Sequence, residues 1–278
     1  MKKNFVCTII LFVVSGVLPT LSYCQSTTNV EKYLEKLPNQ LKLDEKTPQK
    51  YLMITDYTDY DLFGNFIKKM RITGEYTRGF KDGYVKWNNV RISHSQDLEK
   101  PFAEGQLQSV IENFTYVPSA EALSESFFKK IQVTDIFMKN IIWDMMMFEG
   151  FAWYKWDSLK LNNEFCAKEI NSKVKLAGAG TFENKDVRLT WLGITKTNDK
   201  ICAIIKYITM CNPLDIVSQN MTIKGRSHYW GNIYVSLSDK QIECAELYED
   251  VLLDVKMNGQ DPGIKANTVR NITLKKIR

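Results

Sequence analysis

Two carboxylates near the middle of the chain are the first residues whose setting could do chemistry. Asp144 interrupts a run in which Ile136, Phe137, Met138, Ile141, Ile142, Trp143, Met145, Met146, Met147 and Phe148 leave no clean polar face, and Glu149 follows it directly. An ionised carboxylate among apolar side chains is costly unless it meets a cation; otherwise its pKa rises. A raised pKa suits acid–base catalysis, with Arg226 and His228 as the remaining groups of a secreted hydrolase. The simpler outcome is an ion pair to Arg or Lys at the rim of a helix. No residue is assigned a catalytic role on this pattern.

Other constellations fall away on spacing. Gly225–Arg226–Ser227–His228 has Tyr229 where a nucleophile elbow needs its second glycine, and the strand pattern continues through it. Ser227 and His228 are neighbours on that strand, so their side chains point to opposite faces. The chain has 2 histidines, His94 and His228, and no HExxH, so adjacent residues build no zinc cluster. Asp56, Asp59, Asp61 and Asn65 gather in a turn, but without the spacing or terminal glutamate of a calcium loop. Gly178–Ala179–Gly180 lacks the third glycine and the helix of a dinucleotide loop and reads as a bend or bulge in a strand. The expectation is no metal and no cofactor.

Binding chemistry is better represented. Along 221–237, Met221, Ile223, Gly225, Ser227, Tyr229, Gly231, Ile233 and Val235 share one face and read as core, the two glycines marking a close approach by a helix. The other face carries Thr222, Lys224, Arg226, His228, Trp230, Asn232 and Tyr234. Arg226, His228 and Trp230 could grip an anionic or amphiphilic ligand, or simply form a solvated sheet face. Phe148–Trp156 packs five aromatic rings into nine positions. Buried, those rings anchor the helix end into the sheet; around a cavity, Trp143, Met146, Phe151 and Trp153 would line an apolar site, with the Met145–Met147 run as adaptable packing.

These residues need a scaffold, and the chain reads as strands, then helices, then strands. Residues 25–49 form a polar lead-in with a short helix at Val30–Leu37, stopped by Pro38. Tyr51–Thr58, Phe66–Thr77 and Tyr84–Ser93 read as strands, with a turn-rich Asp59–Asn65 and a hairpin at Asp82–Gly83. A further strand is expected near Gln106–Thr115. Ser119 caps a helix over Ala120–Lys130, and Thr134–Phe148 is a second helix, apolar almost all round and therefore buried.

Strands then follow at Val174–Phe182, Val187–Lys196, Ile201–Met210, Met221–Leu237, Gln241–Tyr248, Val251–Met257 and Thr268–Ile277. The short links between them, Asn212–Pro213 included, favour an antiparallel meander. The fold class is α+β: a large curved antiparallel β-sheet, a meander with two flanking β sections, wrapped around a buried central helical segment. The domain organisation is 1–24 signal peptide, 25–49 lead-in, and 50–278 a single β-rich domain with a helical insertion at about 119–149.

Composition and the first residues bound the setting. Lys2 and Lys3, the apolar Ile9–Val17 run and Ser22-x-Cys24 before Gln25 have the layout of a secretory signal too short to span a bilayer. Leu21–Ser22–Tyr23–Cys24 also resembles a bacterial lipoprotein signal, with Tyr23 departing from the small residue expected there; the resemblance implies a lipid anchor at Cys24. The net charge of +5 falls to +3 without Lys2 and Lys3, and the charges are interleaved, which excludes a nucleic-acid groove. No later stretch is long and apolar enough for a transmembrane helix. Cys166, Cys202, Cys211 and Cys244 match no CxxC metal motif and read as buried thiols or one bridge.

The leading expectation is an exported noncatalytic protein in the periplasm, at the outer membrane or outside the cell. It would bind an apolar or amphiphilic small molecule, or an envelope protein. A secreted hydrolase and a structural or assembly module at the cell surface are the alternatives.

Overall fold

The computed structural model describes residues 33–34, 41–119, 126–127, 136–153, 155–171, 173–175, 180–217, 220–257 and 263–277. The signal at 1–24 with Cys24, most of the lead-in helix and most of Ala120–Lys130 lie outside the described residues. Thirteen strands and one long helix are described: β1 (Gln49–Asp61), β2 (Phe66–Lys81), β3 (Tyr84–Ser95), β4 (Gln106–Leu107), β5 (Phe114–Tyr116), α1 (Ile136–Trp153), β6 (Glu164–Cys166), β7 (Lys173–Lys175), β8 (Gly180–Glu183), β9 (Arg188–Thr197), β10 (Lys200–Val217), β11 (Met221–Ser236), β12 (Ile242–Met257) and β13 (Ile264–Ile277).

All the strands belong to one antiparallel sheet, which is not closed. Its order is β4-β3-β2-β1-β13-β12-β11-β10-β8-β7, with β9 beside β10 and β6 beside β9. The two β sections read from the sequence join through β1 and β13, whose register runs from Lys50↔Ile277 to Asp61↔Ala266. Asp82–Gly83 closes the β2–β3 hairpin, with Gly83 at φ +70°, the left-handed conformation such a turn requires.

The alternation on β11 holds. Ser227, Tyr229, Gly231, Ile233 and Val235 are buried, while Lys224, Arg226 and Trp230 are exposed on the other side. Gly231 is small for a different reason than a helix. A Cβ there would meet the Tyr207 hydroxyl, which passes over β11 to donate to the Glu246 carbonyl on β12 at 2.7 Å.

Several element boundaries differ from expectation. Asn212–Pro213 is not a turn: β10 runs on to Val217 through a bulge at Thr209–Asn212, with Cys211 at φ +60°. Pro213, which lacks a donor, falls where the outer neighbour of β10 changes from β9 to β8. Gln241–Tyr248 and Val251–Met257 are one strand, because Glu249 and Asp250 pair with Tyr229 and His228. The region near 106–116 splits into β4, a 3-10 turn at Ser109–Ile111, and β5.

Helix α1 continues to Trp153, five residues past the expected end at Phe148. Ile141, Ile142, Met145, Phe148, Phe151 and Ala152 are buried in the core, each large side chain contributing about 1.5–3 kcal/mol on leaving water. Phe151 stacks on Tyr229 of β11 and tilts against Tyr207 of β10, with centroids 6.5 and 5.1 Å apart. The helix thus packs on the odd-numbered face of β11. Among the described residues no helix is long and apolar enough to cross a membrane, which says nothing of crossing by strands.

Candidate ligand-binding face

The inner face of the sheet is divided by a line of polar groups. Asp144, fully buried on α1, accepts two hydrogen bonds from Arg270 of β13, at 2.8 and 3.1 Å. Arg270 Nε also lies 2.5 Å from Glu249 Oε2 of β12, an ionic contact off the axis of its N–H. The Ser227 hydroxyl donates to the other Glu249 oxygen. Glu249, Arg270 and Tyr57 face one another directly across β12, β13 and β1, and the guanidinium lies 5.8 Å from the Tyr57 ring. Burial pushes the Asp144 carboxyl up to about 6, with Arg270 opposing and Glu249 adding to the rise. Burial pulls on Arg270 too, but the two carboxylates overcome it and hold the guanidinium well above its ordinary value.

Glu149, five residues further along α1, has its own anchor on β2. The Tyr76 hydroxyl and Arg78, both on β2, donate to it at 2.7 and 2.9 Å. Arg78 reaches on to Glu45 at 3.0 Å and lies 4.5 Å over the Trp153 ring. Burial raises the Glu149 pKa against the pull of Arg78.

The hydrolase constellation is therefore not assembled. Asp144 and Glu149 are each consumed in a structural pair, whereas His228 and Arg226 stand on the opposite face of β11. His228 Nδ1 accepts the backbone N–H of Cys211 at 3.2 Å. The carboxylates near the β1–β2 turn also have protein partners. Asp56 takes Arg71, Asp59 takes Lys68 and Thr268, and Asp61 accepts the N–H groups of Phe63 and Asn65 in its own turn. The four cysteines Cys166, Cys202, Cys211 and Cys244 are unbridged.

The seven residues proposed for ligand contact fall into separate places. Trp143 is half-buried and meets Phe182 of β8 edge-on at 6.2 Å. Met146 is half-buried against the core. Phe151 is enclosed by Tyr207 and Tyr229, and Trp153 donates to the Lys240 carbonyl at 2.9 Å. Both belong to the packed end of the helix. Arg226, His228 and Trp230 lie on the outer face, where Trp230 stacks on Tyr248 at 6.4 Å.

The sequence marked Ile223, Ile233 and Val235 as core, but not the contrast in burial along the rest of that face. On the side of the Glu249–Arg270 row toward the β2–β3 and β11–β12 turns, the inward residues Ala245, Leu247, Ile272, Leu274, Ile233 and Val235 are at most 1% exposed. On the other side, Leu214, Ile216, Ile223, Val251, Leu253 and Val255 point to the same face and are only half-buried. Met257 and Ile264, at the end of those rows, are exposed. The rows are continuous: Ile216↔Ile223, Ile223↔Val255 and Val255↔Ile264 are directly paired. Trp143 belongs to this half, because its partner Phe182 pairs with Leu214. Asp59 and Lys68 border it on β1 and β2.

Such a surface offers apolar area with a charged margin. No family model matches the chain, and no curated protein matches it. Two solved structures overlap weakly. A lipovitellin structure, described by its lipid–protein interactions, superposes with a TM-score of 0.41 at 10% identity over 85% of this chain. This chain spans 26% of that one. A DUF1329 family protein from Desulfovibrio piger gives a TM-score of 0.15 at 8% identity, over 82% of this chain and 86% of its own. Neither overlap reaches the level of a shared fold.

Proposed function

We propose that this is an exported binding protein that holds an apolar or amphiphilic molecule between α1 and the half-covered part of the inner sheet face. One observation carries the reading. A single face of continuous strands is sealed on one side of the Glu249–Arg270 row, yet presents partly exposed Leu, Ile and Val side chains on the other. Leaving such area to water forgoes roughly 25 cal/mol per Å², so a ligand that covers it gains what folding left unclaimed. Trp143 supplies a flat wall, and the Asp59–Lys68 margin suits a polar end group.

In this reading the sheet curls around α1. Glu149 bonds β2, while Phe148 and Phe151 on the same helix touch Tyr207 of β10. On a flat sheet β2 and β10 would stand five strand spacings apart, roughly 24 Å. A helix with its side chains is about 10–12 Å across, so contact with both supports a curved sheet.

Native mass spectrometry of the full chain purified from its own cell envelope tests the function. A retained apolar molecule is expected, lost on Val255→Glu and kept on Trp230→Ala from the opposite face. Wild-type protein that arrives empty and takes up no 1-anilinonaphthalene-8-sulfonate when folded would remove the proposal.

A further inference from the structure

The outer face of the sheet carries a second arrangement, separate from the inner one. Strands β11, β12 and β13 run side by side there in register, so their outward side chains form a grid. Its centre is aromatic. Trp230 and Tyr248 are directly opposed, 40% and 42% exposed, and stack with an interplanar angle of 27°. A cross-strand pair of this kind steadies two strands by about 0.2–1 kcal/mol, yet much of both rings stays in water.

Polar rows border the rings on both sides. Asn232 opposes Glu246 in the row toward the β11–β12 turn, and His228 opposes Asp250 in the row on the other side. Asn271 of β13 lies beside Tyr248 in register. All of them point outward, because the residues between them along each strand are buried on the inner face.

These groups are not tied to one another. Asn232, Glu246 and Asn271 make no side-chain hydrogen bond among the described residues, and one oxygen of Asp250 is shielded from water and accepts none. His228 Nδ1 accepts from the Cys211 backbone, so a neutral ring carries its proton on Nε2. Polar side chains elsewhere in the sheet are paired, as Asp56 is with Arg71 and Glu249 with Arg270. Charge is balanced: Lys206, beside Asn232 on β10, and Arg226, two residues from His228, offset the Glu246 and Asp250 carboxylates.

Stacked rings between uncommitted amides and carboxylates match one chemistry. A pyranose presents C–H groups on its flat face, which pack on a π cloud, and hydroxyls around its rim, which donate to carboxylate or amide oxygens and accept from N–H groups. A lipid tail laid here would desolvate both polar rows without satisfying them.

We propose that this outer face binds a neutral oligosaccharide, one sugar over Trp230 and its neighbour over Tyr248, with Asn232, Glu246, Asp250 and Asn271 taking rim hydroxyls. The site is independent of the apolar ligand, since the two faces of β11 share no side chain.

Affinity electrophoresis of the full chain tests it, in gels holding xyloglucan, galactomannan or dextran as neutral polysaccharides and polygalacturonate as an acidic one. At least one neutral gel should retard the wild type, and polygalacturonate should not. Trp230→Ala and Tyr248→Ala should each weaken that binding roughly tenfold. Asn232→Ala combined with Asn271→Ala leaves the rings in place and should weaken it at an unchanged melting temperature. The apolar molecule on the inner face should survive all of these substitutions. Wild-type protein retarded by no neutral gel overturns the proposal, as does retardation that survives both ring substitutions or is strongest in polygalacturonate. So does a wild-type dimer that Trp230→Ala converts to monomer without retardation in any gel, which would make the rings a contact between copies.

Discussion

Asp144 on α1 and Arg270 on β13 lie 126 positions apart and meet in a two-point ion pair, 2.8 Å from Oδ1 to Nη2 and 3.1 Å from Oδ2 to Nη1. The pair fixes the helix to the sheet where the sealed and half-covered parts of the inner face adjoin. Removing Arg270 would strand two buried carboxylates, Asp144 and Glu249. Arg270→Met should therefore cost about 3–5 kcal/mol in urea unfolding. Asp144→Asn should cost less, because it leaves Arg270 in contact with Glu249.

The same pair sets a pH dependence. Burial raises the Asp144 carboxyl from its ordinary 3.8 to about 6 in the folded protein. The folded state thus binds the proton more tightly than the unfolded chain. The stability this contributes is complete below about pH 4 and is lost as pH rises through about 6, on the order of 2–3 kcal/mol. The stability difference between wild type and Asp144→Asn should accordingly be most favourable to the wild type near pH 4 and shrink toward pH 8. A difference that grows with pH would contradict this assignment.

Glu149 gives a graded test of the second anchor. Tyr76→Phe removes one neutral donor and should cost about 1–3 kcal/mol, since a charged acceptor loses its bond. Glu149→Ala leaves Arg78 largely buried with only Glu45 opposite, and about 3–5 kcal/mol is expected. Chemical denaturation of the two variants should rank them in that order.

The cysteines separate by exposure. Cys211 is exposed at the β10 bulge, whereas Cys202 is buried and its thiol is pushed up to about 12 by that burial. Native-state alkylation followed by mass spectrometry should modify Cys211 first and leave Cys202 until unfolding. A reductant should not change the melting temperature, as none of the four is bridged.

Much of this was legible locally. The alternation of β11 told the two faces apart, Asp82–Gly83 marked its hairpin, and the absence of a polar face on 136–148 signalled burial. What was missed depended on partners far along the chain. Glu149 reads as the end of a helix until Arg78, 71 positions away, is found beneath it. Asn212–Pro213 has turn chemistry, but a bulge absorbs it and β10 continues. Val251, Leu253 and Val255 alternate as core residues do. In the structure they are half-covered, while Ala245 and Leu247 on the same strand are sealed, a contrast that alternation alone does not carry.

The proposed apolar ligand against the inner face beside Trp143 is measured most directly by quenching with a brominated fatty acid. Saturable quenching of tryptophan fluorescence is predicted, most of it lost on Trp143→Phe and none on Trp230→Phe. Absence of saturable quenching, or quenching that disappears only with Trp230 on the outer face, would contradict the account.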